Sequence, residues 1–253
     1  MLDKMQHPRP TRFTRARDFV PESRFGLWFL GTRTWEYEVV RDALDRLAPL
    51  IRRPRTRYPV VLDAGCGQGM AFSLLQERLQ PRRLIGLDRD AGVLARARRL
   101  ATTRGLRVEL LKGDCSVLPL QDECVHLVFC HQTFHHLVHQ ERSLREFHRV
   151  LKPGAVLLFA ESTIEYIDTW VIRLLFRHAA ASQRSAAEFL AMLRYAGFAF
   201  DERNLQFPYL WWSRTSFRGL LEFLHLRPTP PRGARRETLV YAALTKPATG
   251  RQS

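Results

Sequence analysis

Short apolar runs alternate with amphipathic stretches between residues 59 and 161, and this alternation sets the expected architecture. Pro59–Asp63, Arg83–Asp88, Leu106–Lys112, Cys124–Cys130 and Ala155–Glu161 are brief segments dominated by Val, Leu, Ile and Phe, the pattern of buried strands. Gly69–Leu79, Ala91–Thr102 and His139–Leu151 lie between them with apolar residues at helical spacing. Strands that are apolar on both faces and separated by helices belong in a mostly parallel sheet covered on both sides, an α/β protein.

The flanks break this rhythm. Before it, Val39, Val40, Ala43, Leu44, Leu47 and Leu50 predict a helix over Trp35–Leu50, which the prolines of RRPRTRYP terminate. Residues 1–20 are basic and aperiodic, and are expected to be an extended or partly disordered tail. After strand five, Thr163–His178 predicts a helical insertion, and Ser185 with Glu188 has capping-box spacing for a helix that Gly197 stops after Tyr195. Phe198–Phe207 and Thr238–Thr245 predict two last strands, separated by FPYLWWSRTSF and a proline-rich turn.

Composition changes this picture little. The 253 residues suit one domain with a lid, and no stretch approaches the ~20 apolar residues of a membrane span. The N-terminal stretch has no apolar core like that of a secretory signal, so a cytoplasmic location is expected. Cys66, Cys115, Cys124 and Cys130 form no C-x-x-C pair and are expected as reduced thiols. A net charge of +15 invites a polyanionic partner. Only four of the 40 basic residues are lysines, however, and the arginines are dispersed, so the charge is weak grounds for nucleic-acid binding.

Three loops at strand ends carry candidate chemistry. Asp63-Ala64-Gly65-Cys66-Gly67-Gln68-Gly69 follows strand one, where glycines let backbone approach a ligand and the next helix presents free N–H groups. Its G-x-G-x-G spacing differs from the G-x-G-x-x-G of dinucleotide sites, which argues against a nicotinamide cofactor. Asp88 ends strand two, where a carboxylate can accept both hydroxyls of a ribose, while Asp90 is the better helix cap. Gly113-Asp114-Cys115 ends strand three, and its acid can accept from an exocyclic amine.

Taken together, DAGCGQG, IGLD, GDCSVLPLQDECVHLVFCHQTFHHL and LREFHRVLKPGAVLLFAE resemble the class I S-adenosylmethionine-dependent methyltransferases, in particular the group that includes the ubiquinone/menaquinone C-methyltransferases. The resemblance implies a Rossmann-like domain over 58–253 with a seven-stranded, mostly parallel sheet and an antiparallel last strand. It also implies an N-terminal helical lid over 21–57 and a helical insertion at about 163–182. S-adenosylmethionine is the implied cofactor. Gly65, Cys66, Gly67 and Gly69 would line its methionine end, Asp63 would hold its ammonium and Asp88 its ribose. Arg89 would lie against the adenine, Asp114 and Cys115 would read the adenine edge, and His131 and Gln132 would sit near the sulfonium. Ala155 stands where this group usually has a second glycine after Gly154.

His131, His135 and His139 are four apart, but the segment starts at a strand end, so a continuous helix presenting them to a metal is not expected and no metal is assigned. His136 and His135 are the candidates for a general base. Aromatic segments before strand one and after strand five, with Trp28, Trp35, Tyr166 and Trp170, are the candidate walls of a largely apolar acceptor pocket. The expected acceptor is a small quinone-, phenol- or lipid-like molecule, and Phe207–Phe217 suggests peripheral membrane contact. Cys130-His131-Gln132-Thr133 is neither an N/D-P-P-Y/F motif nor a Pro-Cys nucleophile, which argues against the alternative of a nucleic-acid methyltransferase. A second alternative, a non-catalytic binding module on the same fold, would be favoured by loss of the glycines or Asp88, and both are present.

Overall fold

The computed structural model describes residues 22–177 and 182–248. The expected tail at 1–20 lies outside them. Strands β1 (Val60–Ala64), β2 (Arg83–Asp88), β3 (Val108–Lys112), β4 (Val125–His131), β5 (Leu151–Ser162), β6 (Leu205–Gln206) and β7 (Leu239–Thr245) form one sheet in the order β3-β2-β1-β4-β5-β7-β6. The pairings among β1 to β5 are parallel, and β7 runs antiparallel to both β5 and β6. The helices are α1 (Arg24–Phe29), α2 (Asp42–Leu47), α3 (Phe72–Leu79), α4 (Ala91–Thr103), α5 (Gln140–Val150), α6 (Ile164–Ile167), α7 (Trp170–Leu175), α8 (Ala186–Tyr195) and α9 (Phe217–Phe223).

Side-chain alternation along each strand divides the core into two apolar layers. Val61, Leu127, Phe129, Leu158 and Tyr241 face α2, α3 and α4 through Leu44, Leu47, Leu75 and Ala97. Leu62, Val128, Leu157, Phe159 and Val240 face α5 and α8 through Leu144, Phe147, Phe189 and Leu193. Both faces are therefore dry, as an all-parallel centre requires. Strand order reverses between β1 and β4, and a crevice opens at the C-terminal ends of strands at such a point.

Several boundaries differ from the sequence expectation. The helix expected over Trp35–Leu50 starts as a π-helical segment, Trp35–Arg41, continues as α2 and ends in a 3-10 turn at Ala48–Leu50 that contains Pro49. Val40, Ala43, Leu44 and Leu47 belong to the sheet's own apolar layer, so within the expected 21–57 lid α2 is a core helix. The insertion at 163–178 is split into α6 and α7. Thr169 has extended backbone there, and its hydroxyl donates to the carbonyl of Tyr166 at 2.8 Å, offering the chain an alternative to continued helix. His178 lies outside the described residues. The strand expected at Phe198–Phe207 reduces to an Ala199–Thr245 bridge and the two-residue β6. Helix α9, with Ser216 as its N-cap, occupies a stretch for which no helix was expected. The capping box at Ser185 and Glu188 forms as its spacing predicts.

The π-helical segment is tied to the sheet layer by an ion pair whose carboxylate is buried and whose guanidinium is partly exposed. The guanidinium of Arg104, just past α4, donates to both oxygens of the buried Glu36 carboxylate, with Nη2 at 2.7 Å from Oε2, and also to the Ser73 hydroxyl. Arg104→Ala leaves that carboxylate buried without its cation. It is expected to cost about 3 kcal/mol in urea unfolding, whereas Arg46→Ala, in a half-exposed pair with Asp42, is expected to cost under about 1 kcal/mol.

Candidate active site

A cavity of about 950 Å³ opens at the C-terminal ends of β1, β2 and β4. The loop after β1 forms its floor. Gly65 and Gly67 both have left-handed backbone, with φ of +76° and +53°. A Cβ on Gly65 would strike Thr133, whereas one on Gly67 would project into open space, the opening a close ligand would need. Gly69 differs from both: it does not line the cavity and packs against the Phe72 ring. Cys66 lines the cavity and is buried, and burial raises its thiol well above the ordinary value, with the Asp63 charge adding to the effect.

Two carboxylates face this floor. Asp88 accepts from the Gly67 N–H through Oδ2 and from the Asp90 N–H through Oδ1, each at 3.0 Å. Asp90 in turn caps α4, accepting from the N–H groups of Gly92 and Val93. Burial raises the Asp88 pKa, and hydrogen bonds from Asp90 and Gly67 oppose the rise. Asp63 is buried with no hydrogen-bond partner for Oδ2. Burial, with the nearby Asp88 charge, pushes its carboxyl up to about 8. An unpartnered buried acid at a cavity wall lacks a donor or a cation.

The remaining walls come from other strand ends. Arg89, Asp114 and Cys115 line the side beyond β2 and β3, with Arg89 and Asp114 paired at 3.7 Å and Asp114 accepting from the Ser116 N–H at 2.8 Å. His131 ends β4 and lines the cavity, stacked on Phe129 and tilted against Trp35. Burial, followed by repulsion from His135, lowers its pKa to about 3, so the ring is neutral, and its Nε2 has no partner. Gln132 has left-handed backbone at φ +49°; its Oε1 accepts from Ser162 at 2.6 Å and its Nε2 is unpartnered. His136 lines the cavity from the 3-10 turn Phe134–His136.

Not every candidate reaches this space. His135 is buried and does not line the cavity; its Nδ1 lies 2.7 Å from Glu161 Oε2. Of the four aromatic candidates Trp35 lines the cavity, while Trp28 and Trp170 are surface residues at 63% and 68% exposure. Tyr166 packs edge-on against Trp212. No group of three or more His, Cys, Asp or Glu among the described residues is placed to hold a metal ion.

One organising residue was not anticipated. Glu161, fully buried near the end of β5, accepts from the N–H groups of Thr133 and Phe134 at 2.9 and 2.8 Å and contacts His135. It fixes the path of the segment that carries His131, Gln132 and His136. Its signal in the sequence is the lone acid closing the apolar run AVLLFAE. Gln68 supplies a second tie, donating to the carbonyl of Leu27 on α1 at 2.5 Å; Leu27 and Leu30 line the cavity from the N-terminal side.

Residues 62–159 match the model of a methyltransferase domain. Over that stretch the chain is similar to a methyltransferase domain, and its sheet has the strand order seen in class I methyltransferase folds. Its fold resembles that of an S-adenosylmethionine-dependent methyltransferase from Aquifex aeolicus at a TM-score of 0.60, with 18% identity over 87% of this chain and 96% of that one. A demethylmenaquinone methyltransferase of Thermus thermophilus is 36% identical over 101 residues, 40% of this chain and 46% of that protein. A malonyl-[acyl-carrier protein] O-methyltransferase of Coxiella burnetii is 32% identical over 122 residues, 48% of this chain and 40% of that one. The matches thus span less than half of these curated relatives. The domain and its fold imply S-adenosylmethionine as cofactor. The residues present fit such a group: an orphaned buried carboxylate, open space over Gly67 and a second carboxylate at a strand end.

Asp63 gives a pH signature to the ligand-free methyltransferase domain. Its folded value lies above its unfolded value, so its contribution to stability is full below about pH 4 and declines as the pH rises toward 8. Asp63→Asn is therefore expected to be more stable than the wild type at pH 8. The gap should widen from pH 5 to 8 with a slope of at most about 1.4 kcal/mol per unit, read by urea unfolding. Parallel curves across that window would show an ordinary carboxyl at residue 63.

Proposed function

We propose that the protein transfers a methyl group from S-adenosylmethionine to a small apolar or aromatic acceptor, of quinone-, phenol- or lipid-like chemistry. The observation that carries this reading is the unpartnered Asp63 carboxylate beside the open Gly67 backbone at the crevice between β1 and β4. When bound, the cofactor supplies an electrophilic methyl on a sulfonium, whose sulfur keeps the bonding electrons as the methyl leaves.

The chain's own residues bind and orient. In this reading Asp63 pairs with the ammonium group and Asp88 accepts from the ribose hydroxyls with the lone pairs that Gly67 and Asp90 leave unused. Asp114 and Cys115 flank the adenine edge with Arg89 beside them, while Gly65 and Cys66 border the methionine portion. His131 and Gln132 face the reacting end, where a neutral imidazole adds no charge to repel a sulfonium. Trp35, Leu27, Leu30 and Leu137 give that end an apolar wall that excludes water, which favours displacement at carbon. His136 is the base that takes the acceptor's proton, with His135 held against Glu161 behind it. The volume of the cavity, at the top of the ~300–1,000 Å³ range of small-molecule sites, leaves room for cofactor and acceptor together.

The charge is weak grounds for a nucleic-acid acceptor, because the arginines are dispersed along the chain. No helix among the described residues is long and apolar enough to cross a membrane, and all four cysteines are free thiols, which supports a reducing, cytoplasmic setting.

Calorimetric titration with S-adenosylhomocysteine tests the reading. Wild-type protein is expected to bind in the micromolar range, and Asp88→Ala to weaken binding at least tenfold. With a demethylated quinol or a catechol as acceptor, His136→Ala is expected to lower kcat at pH 7 by about 10²-fold while leaving S-adenosylhomocysteine affinity unchanged. No binding by folded wild-type protein would contradict the assignment.

A further inference from the structure

Five of the most exposed apolar side chains lie on elements that adjoin one another. Trp28 on α1, Trp170 and Leu174 on α7, Trp211, and Phe217 on α9 are 55–74% exposed. Their elements are neighbours. Ser23, the α1 cap, donates through its hydroxyl to the carbonyl of Leu175 at 2.6 Å, and Phe25 meets Phe176 edge-on with centroids 6.0 Å apart. Thr169, the cap of α7, shares a 2.7 Å hydrogen bond with Thr215, just ahead of α9. Trp211 and Phe223 have ring centroids 6.3 Å apart. Three short helices and the turn before α9 thus bring exposed apolar side chains onto adjoining elements, a grouping of the kind that marks an interaction site.

The charges around it select the partner. Arg24, Arg173, Arg177, Arg218 and Arg227 on these segments are exposed. Among residues 22–31, 164–177 and 207–228 the one exposed acid is Asp168, at the edge of the patch and paired with Arg173. A second copy of the face would set arginine against arginine in a twofold contact, which disfavours self-association. Tryptophan and leucine side chains rimmed by arginines match the boundary between lipid headgroups and acyl chains, where aromatics enter and cations pair with phosphates.

We propose that the face built from α1, α7, Trp211–Ser213 and α9 docks the protein peripherally on an anionic bilayer surface. The arginines supply the attraction and the exposed aromatic and leucine side chains the insertion. Helix α1 connects this face to the cavity, since Leu27 and Leu30 line the cavity while Phe25 and Trp28 are exposed. The proposal goes beyond methyl transfer and does not depend on the identity of the acceptor.

Flotation of the full chain with phosphatidylcholine vesicles, with and without phosphatidylglycerol, tests it. Binding is expected at least tenfold tighter to the anionic vesicles, to weaken as salt rises, and to shift tryptophan emission to the blue. The triple variant Leu174→Ser/Trp211→Ser/Phe217→Ser is expected to lose at least tenfold in vesicle affinity with unchanged S-adenosylhomocysteine binding and circular dichroism. Arg173→Gln/Arg227→Gln, which leaves the apolar groups intact, is expected to flatten the salt dependence. Absence of flotation with anionic vesicles would overturn the proposal, as would flotation indifferent to the triple variant. Sedimentation velocity showing a wild-type dimer that the triple variant splits would also overturn it, by giving the face to a second copy.

Discussion

Two acids with no cation between them sit at the point where the sheet's strand order reverses, and for want of one the Asp63 carboxyl, pushed up to about 8, stays protonated at neutral pH. Asp63 is a β1 residue inside a dry, two-layered core, and Asp88 closes the neighbouring β2. Burial alone makes ionising Asp63 costly, and Asp88 makes it costlier. A protein selected only for stability would place an apolar residue there. Keeping the acid costs stability in the ligand-free state, a cost that the proposed binding of a ligand with positive charge and hydroxyl donors would offset. The glycines matter in the same frame, since Gly67 both donates its N–H to Asp88 and leaves open space above itself.

The opposite wall depends on a different acid. Glu161 is satisfied where Asp63 is not: it collects two backbone N–H groups and His135, and so converts the irregular chain after β4 into a fixed wall. Fully connected buried polar groups rigidify, and unconnected ones await a partner. That contrast separates an acid that positions the chain from an acid left without a partner. The same segment holds Gln132 in left-handed backbone, a conformation that persists where surrounding contacts over-determine it.

The centre of the sheet was legible because β1, β2, β4 and β5 are apolar on both faces and each intervening helix has one apolar stripe. Asp63, Asp88 and Asp90 were legible for the same reason, standing at the ends of strands whose ends could be located. Asp90 took the capping role and left Asp88 to the cavity, as their offsets from α4 suggested. What failed were features decided by tertiary contact. Phe198–Phe207 has strand-like composition, but most of it pairs with nothing. Helix α9 is held by Ser216 and by contacts such as Trp211 on Phe223, which no local pattern announces. Glycines at three adjacent odd positions look alike in sequence, yet Gly69 serves the Phe72 ring and not the cavity. Aromatic content before β1 and after β5 marked the right segments without telling which rings face inward: Trp35 does, while Trp28 and Trp170 face solvent.

In the proposed function, an unpaired, protonated Asp63 becomes a paired carboxylate when the cofactor site fills. Proton release on binding reports this directly. Calorimetric titration of S-adenosylhomocysteine at pH 7 in two buffers of different ionisation enthalpy gives the number of protons exchanged. Because the Asp63 carboxyl sits at about 8, the account predicts release of about one proton by wild-type protein. It predicts none by Asp63→Asn, whatever affinity that variant retains. Tight binding by the wild type with no proton released would contradict it, and would mean that Asp63 is not the group that meets the ligand's charge.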